Sequence, residues 1–179
     1  MPILGIIASS RAVAVPNSYE SIATTTVSTA VASITFSSIP ATYTHLQIRG
    51  FVRSTADTQL DTTFNSDGGS TYSYHSLLGY GTGTEASGGA NTTKIIMEAA
   101  SNAASVFAAY IIDILDYANT NKYKTTRNLA GYDNNSNGRV SLNSGNWRNT
   151  NAITSITLTA RDTTFAQYSQ FALYGIKGA

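Results

Sequence analysis

Apolar and polar residues alternate with a period of two over most of this chain, and β-branched residues are frequent in the alternating segments. A strand points successive side chains to opposite faces of a sheet, so this period predicts strands. Helix competes only at 106–117, where we favour strand because Tyr110, Ile111 and Ile112 prefer a pleated surface. The segments that we predict as strands are 21–27, 33–36, 46–53, 60–64, 72–80, 93–97, 106–117, 122–132, 139–142, 153–160 and 170–176.

Turn residues separate the predicted strands at short intervals. Asn65–Gly69 and Asp133–Gly138 contain the Asn, Asp and Gly residues that tight turns favour. The segment 81–90 is rich in Gly, Ser and Thr, and we predict a loop that connects two strands. About ten short strands with such turns indicate an all-β fold, a single-domain antiparallel β-sandwich, and we expect the jelly-roll type.

Residues 1–17 precede the first predicted strand. We predict an extended N-terminal arm over 1–17 and one β-sandwich domain over 18–179, with Pro16 between them. The apolar run 3–8 is too short to span a bilayer, and no positive residue precedes it as in a signal peptide. We therefore expect the arm to bury four apolar side chains against a protein surface. They are Ile3, Leu4, Ile6 and Ile7.

Charged residues make up 12% of the chain, and the net charge is +1. An average soluble domain has about 25% charged residues, so the surface must consist largely of hydroxyl, amide and small apolar groups. Such a surface loses little on desolvation and suits protein or sugar partners. The near-neutral charge argues against nucleic acid and anionic membrane as partners. The chain has no cysteine, which excludes disulfides and thiolate chemistry.

Residue types used in catalysis occur without the partners that catalysis needs. His45 and His75 could act as general bases or metal ligands, but neither lies in a metal-binding motif, and we interpret both as hydrogen-bonding residues of a sheet. Asp113 and Asp116 have odd spacing and would point to opposite faces of a strand, so they cannot form an acid/base pair there. We expect Asp113 to be half-buried with an arginine partner. The candidate partners are Arg49 and Arg127.

The segment Asp133–Gly138 matches the first half of a calcium-binding loop, with Asp, Asn and Asn at alternate positions before Gly. Ser144 stands where that loop requires a bidentate Glu, so we favour a plain turn, and calcium binding stays open. The glycine-rich segment 79–83 lacks the ending of a phosphate loop and is also interpreted as a turn. The sequence therefore predicts no catalytic residue, no cofactor and no metal, in a chain that is not an enzyme.

Aromatic side chains are more informative, with eleven Tyr, six Phe and one Trp. Tyr72 and Tyr74 lie in one predicted strand, and Trp147 lies in a predicted polar loop. If exposed, these three side chains could stack on sugars or anchor an interface. Packing within the sheets, with the tyrosine hydroxyl at the rim, is the interpretation that we favour for most of the aromatic residues, and for Trp147 the two interpretations are equally open.

Both ends of the chain are similar to small structural proteins of tailed bacteriophages. The segments that carry the resemblance are 1–10 (MPILGIIASS), 18–23 (SYESIA), 34–40 (ITFSSIP), 43–50 (YTHLQIRG) and 171–178 (FALYGIKG). The middle of the chain, 57–151, departs from it. The resemblance implies a virion protein and no enzyme, and it leaves head and tail open.

Two virion functions follow from this resemblance. The first is a capsid decoration (cement) protein, synthesised in the bacterial host cytoplasm and bound to the capsid surface of the virion as a homotrimer. Its arm would reach over the major capsid protein and stabilise capsomer junctions. The alternative is a tail-fibre or receptor-binding module in which Tyr72, Tyr74 or Trp147 contacts host glycan. A carbohydrate-active enzyme is a third interpretation, and the lack of a carboxylate pair argues against it.

Overall fold

The computed structural model describes residues 18–135 and 137–178, apart from the side chains at positions 98 and 99. The predicted arm over 1–17, with its four apolar side chains, lies outside the described residues. In chain order the strands are β1 (Tyr19–Thr26), β2 (Ser33–Phe36), β3 (His45–Val52), β4 (Thr58–Phe64), β5 (Tyr72–Tyr80), β6 (Gly83–Thr92), β7 (Ile95–Ala100), β8 (Ala108–Leu115), β9 (Lys124–Asp133), β10 (Gly138–Trp147), β11 (Ile156–Ala160) and β12 (Gln170–Ile176).

These strands form two antiparallel sheets. The larger sheet has eight strands in the order β1-β12-β3-β8-β9-β10-β5-β6, and the smaller has four in the order β2-β11-β4-β7. Strand β7 of the smaller sheet packs against β5, β9 and β10 of the larger one. Helix is absent from the described residues, so the predicted all-β antiparallel fold is confirmed, including strand at 106–117. The jelly-roll topology stays a prediction.

One apolar core lies between the sheets, and the alternation of β3 and β8 builds much of it. Leu46, Ile48 and Val52 of β3 are buried, as are Ile112 and Ile114 of β8. Burial of a side chain of this size stabilises the fold by about 1.5–3 kcal/mol, which fixes the face that each strand turns inward. The same cluster includes residues of the smaller sheet, among them Ile34, Phe36, Leu60 and Leu158.

The middle of strands β9, β10 and β5 shows the reverse arrangement, with polar side chains inward and leucines outward. Asn128, Asn143 and Ser76 are buried and lie opposite one another across the three strands. Because the ladder holds the strands in register, the residues next to them share the outer face. These exposed neighbours, which also lie opposite one another, are Leu129, Leu142 and Leu77.

The segment 81–90 is largely strand, so its prediction as a loop was wrong. Strand β6 pairs with β5 along its length and forms an edge of the larger sheet. Pairing requires only backbone N–H and C=O groups, so a segment rich in Gly, Ser and Ala can join a sheet without apolar alternation. All side chains of β6 are exposed or half-buried, which explains why the sequence pattern did not reveal this strand.

Candidate functional site

Trp147 is buried, so its interpretation as an exposed ligand-binding or interface residue was wrong. This last residue of β10 is only 1% exposed. Its ring packs against Phe64, with centroids 5.6 Å apart, and against Tyr72 at 6.3 Å. The indole N–H donates a hydrogen bond of 2.7 Å to Asp67 Oδ2, which satisfies its polar atom and permits burial. The same bond lowers the pKa of the Asp67 carboxyl below its ordinary value.

Tyr72 is also buried, and Tyr74 is half-buried against the core, because even-numbered positions of β5 point inward. The Tyr72 hydroxyl accepts a hydrogen bond from the Phe64 N–H at 3.0 Å and donates one to the Asp67 carbonyl oxygen at 3.2 Å. Burial raises the pKa of Tyr72 to about 12. The interpretation of Tyr72 as exposed was therefore wrong, and the three singled-out aromatic residues do not form one exposed surface.

Asp113 lies on the outer side of β8 and is half-buried, as expected. Of its two candidate partners, Arg127 is the one that pairs with it, with 2.9 Å between Nη2 and Oδ2. Gln47 donates a hydrogen bond of 2.7 Å to the other carboxylate oxygen. Arg49 in turn donates to the Gln47 side-chain oxygen at 3.0 Å. The four side chains form one hydrogen-bonded network on the outer face of the larger sheet.

The remaining candidates for chemistry take structural roles. His45 Nδ1 accepts a hydrogen bond of 3.0 Å from the Asp116 N–H, and His75 is exposed on β5. In the turn between β9 and β10, Asp133 Oδ1 accepts a hydrogen bond of 2.7 Å from the Asn135 N–H. Over residues 18–135 and 137–178, no group of three or more His, Asp or Glu side chains is arranged to hold a metal ion.

A contiguous apolar patch covers part of the outer face of the larger sheet. Each of its large side chains is between 41% and 59% exposed. Single exposed apolar residues are ordinary, whereas a contiguous patch marks a contact with another molecule. We call this patch the apolar face, and its residues are Phe51, Leu77, Ile111, Leu129, Val140 and Leu142.

Two rows of the apolar face run across neighbouring strands. Side chains opposite one another in an antiparallel sheet lie about 4.5–5.5 Å apart, so apolar residues at successive positions form a continuous strip. The first row consists of Ile111, Leu129, Leu142 and Leu77, on β8, β9, β10 and β5. The second row consists of Phe51 and Ala109 on β3 and β8 and of Val140 on β10, and Gly131 of β9 interrupts it.

A polar groove of about 700 Å³ lies where the β5–β6 and β9–β10 turns meet. Tyr80, Tyr132 and Arg139 line it, and Arg139 also pairs with Asp57 at 2.9 Å. Tyr80 is 44% exposed, so its ring is accessible to a ligand. Aromatic rings beside hydrogen-bonding groups suit a sugar. Sequence reasoning missed this groove because the two turns are distant in the chain and only the sheet brings them together.

Comparison with protein-family models, with curated proteins and with solved structures finds no match for this chain. The resemblance to phage structural proteins therefore stays a prediction. Among the described residues, no helix is long and apolar enough to cross a membrane. The surfaces described above supply the observations on which a functional proposal can rest.

Proposed function

We propose that this chain is a capsid decoration (cement) protein of a tailed bacteriophage, bound to the outer shell as a homo-oligomer. The apolar face is the observation on which the proposal rests. One sheet of this chain exposes a row of one isoleucine and three leucines, and charged residues make up only 12% of the chain. Such a face supports a role in protein contact. The resemblance of both ends of the chain to phage structural proteins supports the virion as the place of that contact.

The mechanism of such a protein is the addition of buried surface to the assembled shell. A protein that binds only the assembled form shifts the equilibrium towards that form by mass action. Each square ångström of apolar surface removed from water contributes about 25 cal/mol. In this proposal the predicted arm, with Ile3, Leu4, Ile6 and Ile7, contacts the major capsid protein. The few charges on the chain keep the cost of desolvation low.

The copy number and position of the chain on the particle test the proposal. Quantitative mass spectrometry of purified virions should find the chain in a fixed, near-stoichiometric ratio to the major capsid protein. Electron microscopy of particles carrying a tagged chain should place the tag over the capsid surface. A few copies confined to the tail would overturn the proposal.

Deletion of residues 1–10 tests the role of the predicted arm. We expect the shortened chain to keep its β-sheet circular dichroism spectrum and to be lost from particles, because it lacks the apolar side chains that contact the shell. A conservative double variant, Ile3→Val with Ile7→Val, is the matched control and should still be incorporated. Unchanged incorporation of the shortened chain would contradict the role of the predicted arm in attachment to the shell.

A receptor-binding module of the tail is the second candidate, and the polar groove with Tyr80 and Tyr132 is the observation that favours it. A glycan array probed with the full chain would test it. Binding that is lost in Tyr80→Ala and kept in Tyr123→Ala, a variant at an exposed tyrosine outside the groove, would favour this function. Absence of binding to any glycan would favour the decoration function.

A further inference from the structure

We infer that the apolar face is the interface through which copies of this chain bind one another. The inference deepens the proposed function by naming the partner of this face, and it rests on that function for its biological setting. The predicted arm then remains available to contact the capsid shell. The size of the face, the internal pairing of Asp113 with Arg127 and the reversed polarity in the middle of β9, β10 and β5 support a second copy as the partner.

The size of the outer face matches what a stable association needs. Eight strands about 4.8 Å apart span about 34 Å, and strands of about nine residues are about 30 Å long, so the outer face of the sheet offers about 1,000 Å². A standard interface buries about 800 Å² on each partner. The apolar rows occupy the middle strands, whereas the outermost strands β1 and β6 expose Thr24 and Thr84. An apolar centre with a polar rim is the usual composition of a protein interface.

Of the charges on this face, those of Asp113 and Arg127 neutralise each other, and Arg49 stays positive. Asp113 pairs with Arg127, and the Arg49 guanidinium lies over the rings of Tyr19 and Tyr174, 5.7 and 5.8 Å from their centroids. Two identical faces would therefore bring together one positive charge from each copy that is not neutralised by a carboxylate, at Arg49. This charge alone does not require a partner of opposite net charge, so the face remains compatible with a second copy.

The reversed strands give the face the character of a core. Behind the outer row of leucines, Asn128 and Asn143 are buried and hydrogen-bonded to each other at 3.1 Å. In their middle, β9, β10 and β5 thus place polar groups where a monomer has its interior and leucines where a monomer meets water. That arrangement suits a chain whose second apolar layer forms between copies.

Residues 1–17 are the competing occupant from the same chain. One extended segment covers a strip about 5 Å wide, whereas a row across four strands alone spans about 14 Å and the second row lies about 7 Å away along the strands. A segment that runs once along a row therefore leaves the other row in contact with water, and it would have to double back to cover both. A second copy covers both rows at once.

Sedimentation velocity of the full chain between about 1 and 100 µM tests the inference without any particle. We expect an oligomer whose mass falls on dilution. Leu129→Glu and Leu142→Glu each bury a charge in the proposed interface and should weaken association by about 100-fold or more. Ser33→Glu is the matched control, because Ser33 is exposed on β2 of the other sheet, and it should leave association within about 2-fold of the original.

The folding of the variants is checked separately. Leu129 and Leu142 are 52% and 49% exposed, so the β-sheet circular dichroism spectrum should be unchanged. The milder Leu142→Thr, which fits a strand, should still weaken association by about 10-fold.

Three results would overturn the inference. They are a monomer at all concentrations, glutamate variants that associate as tightly as the original chain, and a monomer that binds a hydrophobic dye only after deletion of residues 1–17. The last result would assign the face to that segment. A chain that associates through this face but is missing from particles would instead refute the proposed function alone.

Discussion

The two sheets of this protein have outer faces of opposite character. On the smaller sheet, Thr35, Thr157 and Thr63 lie in one row, and the first two are joined by a hydroxyl hydrogen bond of 2.9 Å. Beside them, Asp61 pairs with Lys94 at 2.6 Å and with Arg161. On the larger sheet, the corresponding outward positions of β8, β9, β10 and β5 carry isoleucine and leucine.

The difference shows that the apolar face is not a consequence of the low charge of the chain. Both faces belong to the same chain, and the outer face of the smaller sheet carries hydroxyl groups and ion pairs, which water solvates well. An outward row of leucines therefore needs a cause of its own. A partner that covers this row supplies that cause, and each prediction below tests one side of the comparison.

The largest effect is expected inside the sandwich, at the end of β10. Trp147→Ala should lower the free energy of unfolding by about 3–5 kcal/mol, because it opens a cavity beside Phe64 and leaves the Asp67 carboxylate without its indole donor. Leu142→Ala on the outer side of the same strand should cost less than about 1 kcal/mol in dilute protein. Urea denaturation measures both changes in the free energy of unfolding. Equal losses would contradict the exposure of the apolar face in a single copy of the chain.

A smaller loss is expected on the polar face of the smaller sheet. The Asp61 side chain is 6% exposed and contacts two cations, so Asp61→Ala should destabilise the protein by about 2–3 kcal/mol because it removes the carboxylate from both ion pairs. Asp113→Ala, which removes a carboxylate from the half-exposed network of the larger sheet, should cost less than about 1 kcal/mol. Chemical denaturation of the pair measures the difference, and a larger loss for Asp113→Ala would reverse the comparison.

The buried tyrosine between the faces predicts a loss of stability in alkali. The pKa of Tyr72 is raised from 10.0 to about 12 in the folded protein. The stabilisation linked to this shift is complete below pH 10 and is lost as the pH rises towards 12, because the unfolded chain releases its proton first. The free energy of unfolding, measured by chemical denaturation over this pH range, should fall less steeply with pH for Tyr72→Phe than for the original chain. An identical slope would contradict the burial of the hydroxyl.

The smallest effect on stability is expected when the apolar face is made to resemble the other outer face. Replacing Leu77, Leu129 and Leu142 together by threonine should change the free energy of unfolding of the dilute chain by less than about 1 kcal/mol, since threonine fits a strand and the positions are exposed. Binding of a hydrophobic dye should fall and solubility should rise. Loss of the folded state would show instead that these leucines belong to the core of one chain.

The alternation of residues was sufficient to predict most of the fold. The strand predicted at 46–53 corresponds to β3, and the one at 170–176 corresponds to β12. The preference for strand at 106–117 is confirmed because β-branched and aromatic residues fit a pleated surface there. These features are local, so each can be predicted from a few neighbouring residues.

The phase of the alternation could not be predicted in the same way. In β9 and β10 the sequence alternates polar and apolar residues, but only the pairing with neighbouring strands and the position of β7 decide that Asn128 and Asn143 point inward. Trp147 has polar neighbours that suggested a loop, and its burial depends on Asp67, eighty residues away. Partners so distant in the chain leave no local signal.

The sequence by itself determined that this is a chain of short strands with few charges and no cysteine, because composition and period-two alternation depend only on the order of residues. The tertiary structure decided which side of each strand meets water. It buried two of the three aromatic residues that the sequence singled out and assembled six scattered apolar residues into one face. The physical reason is that one face of a sheet is made of side chains from strands far apart in the chain, and these side chains become neighbours only when the strands pair in register.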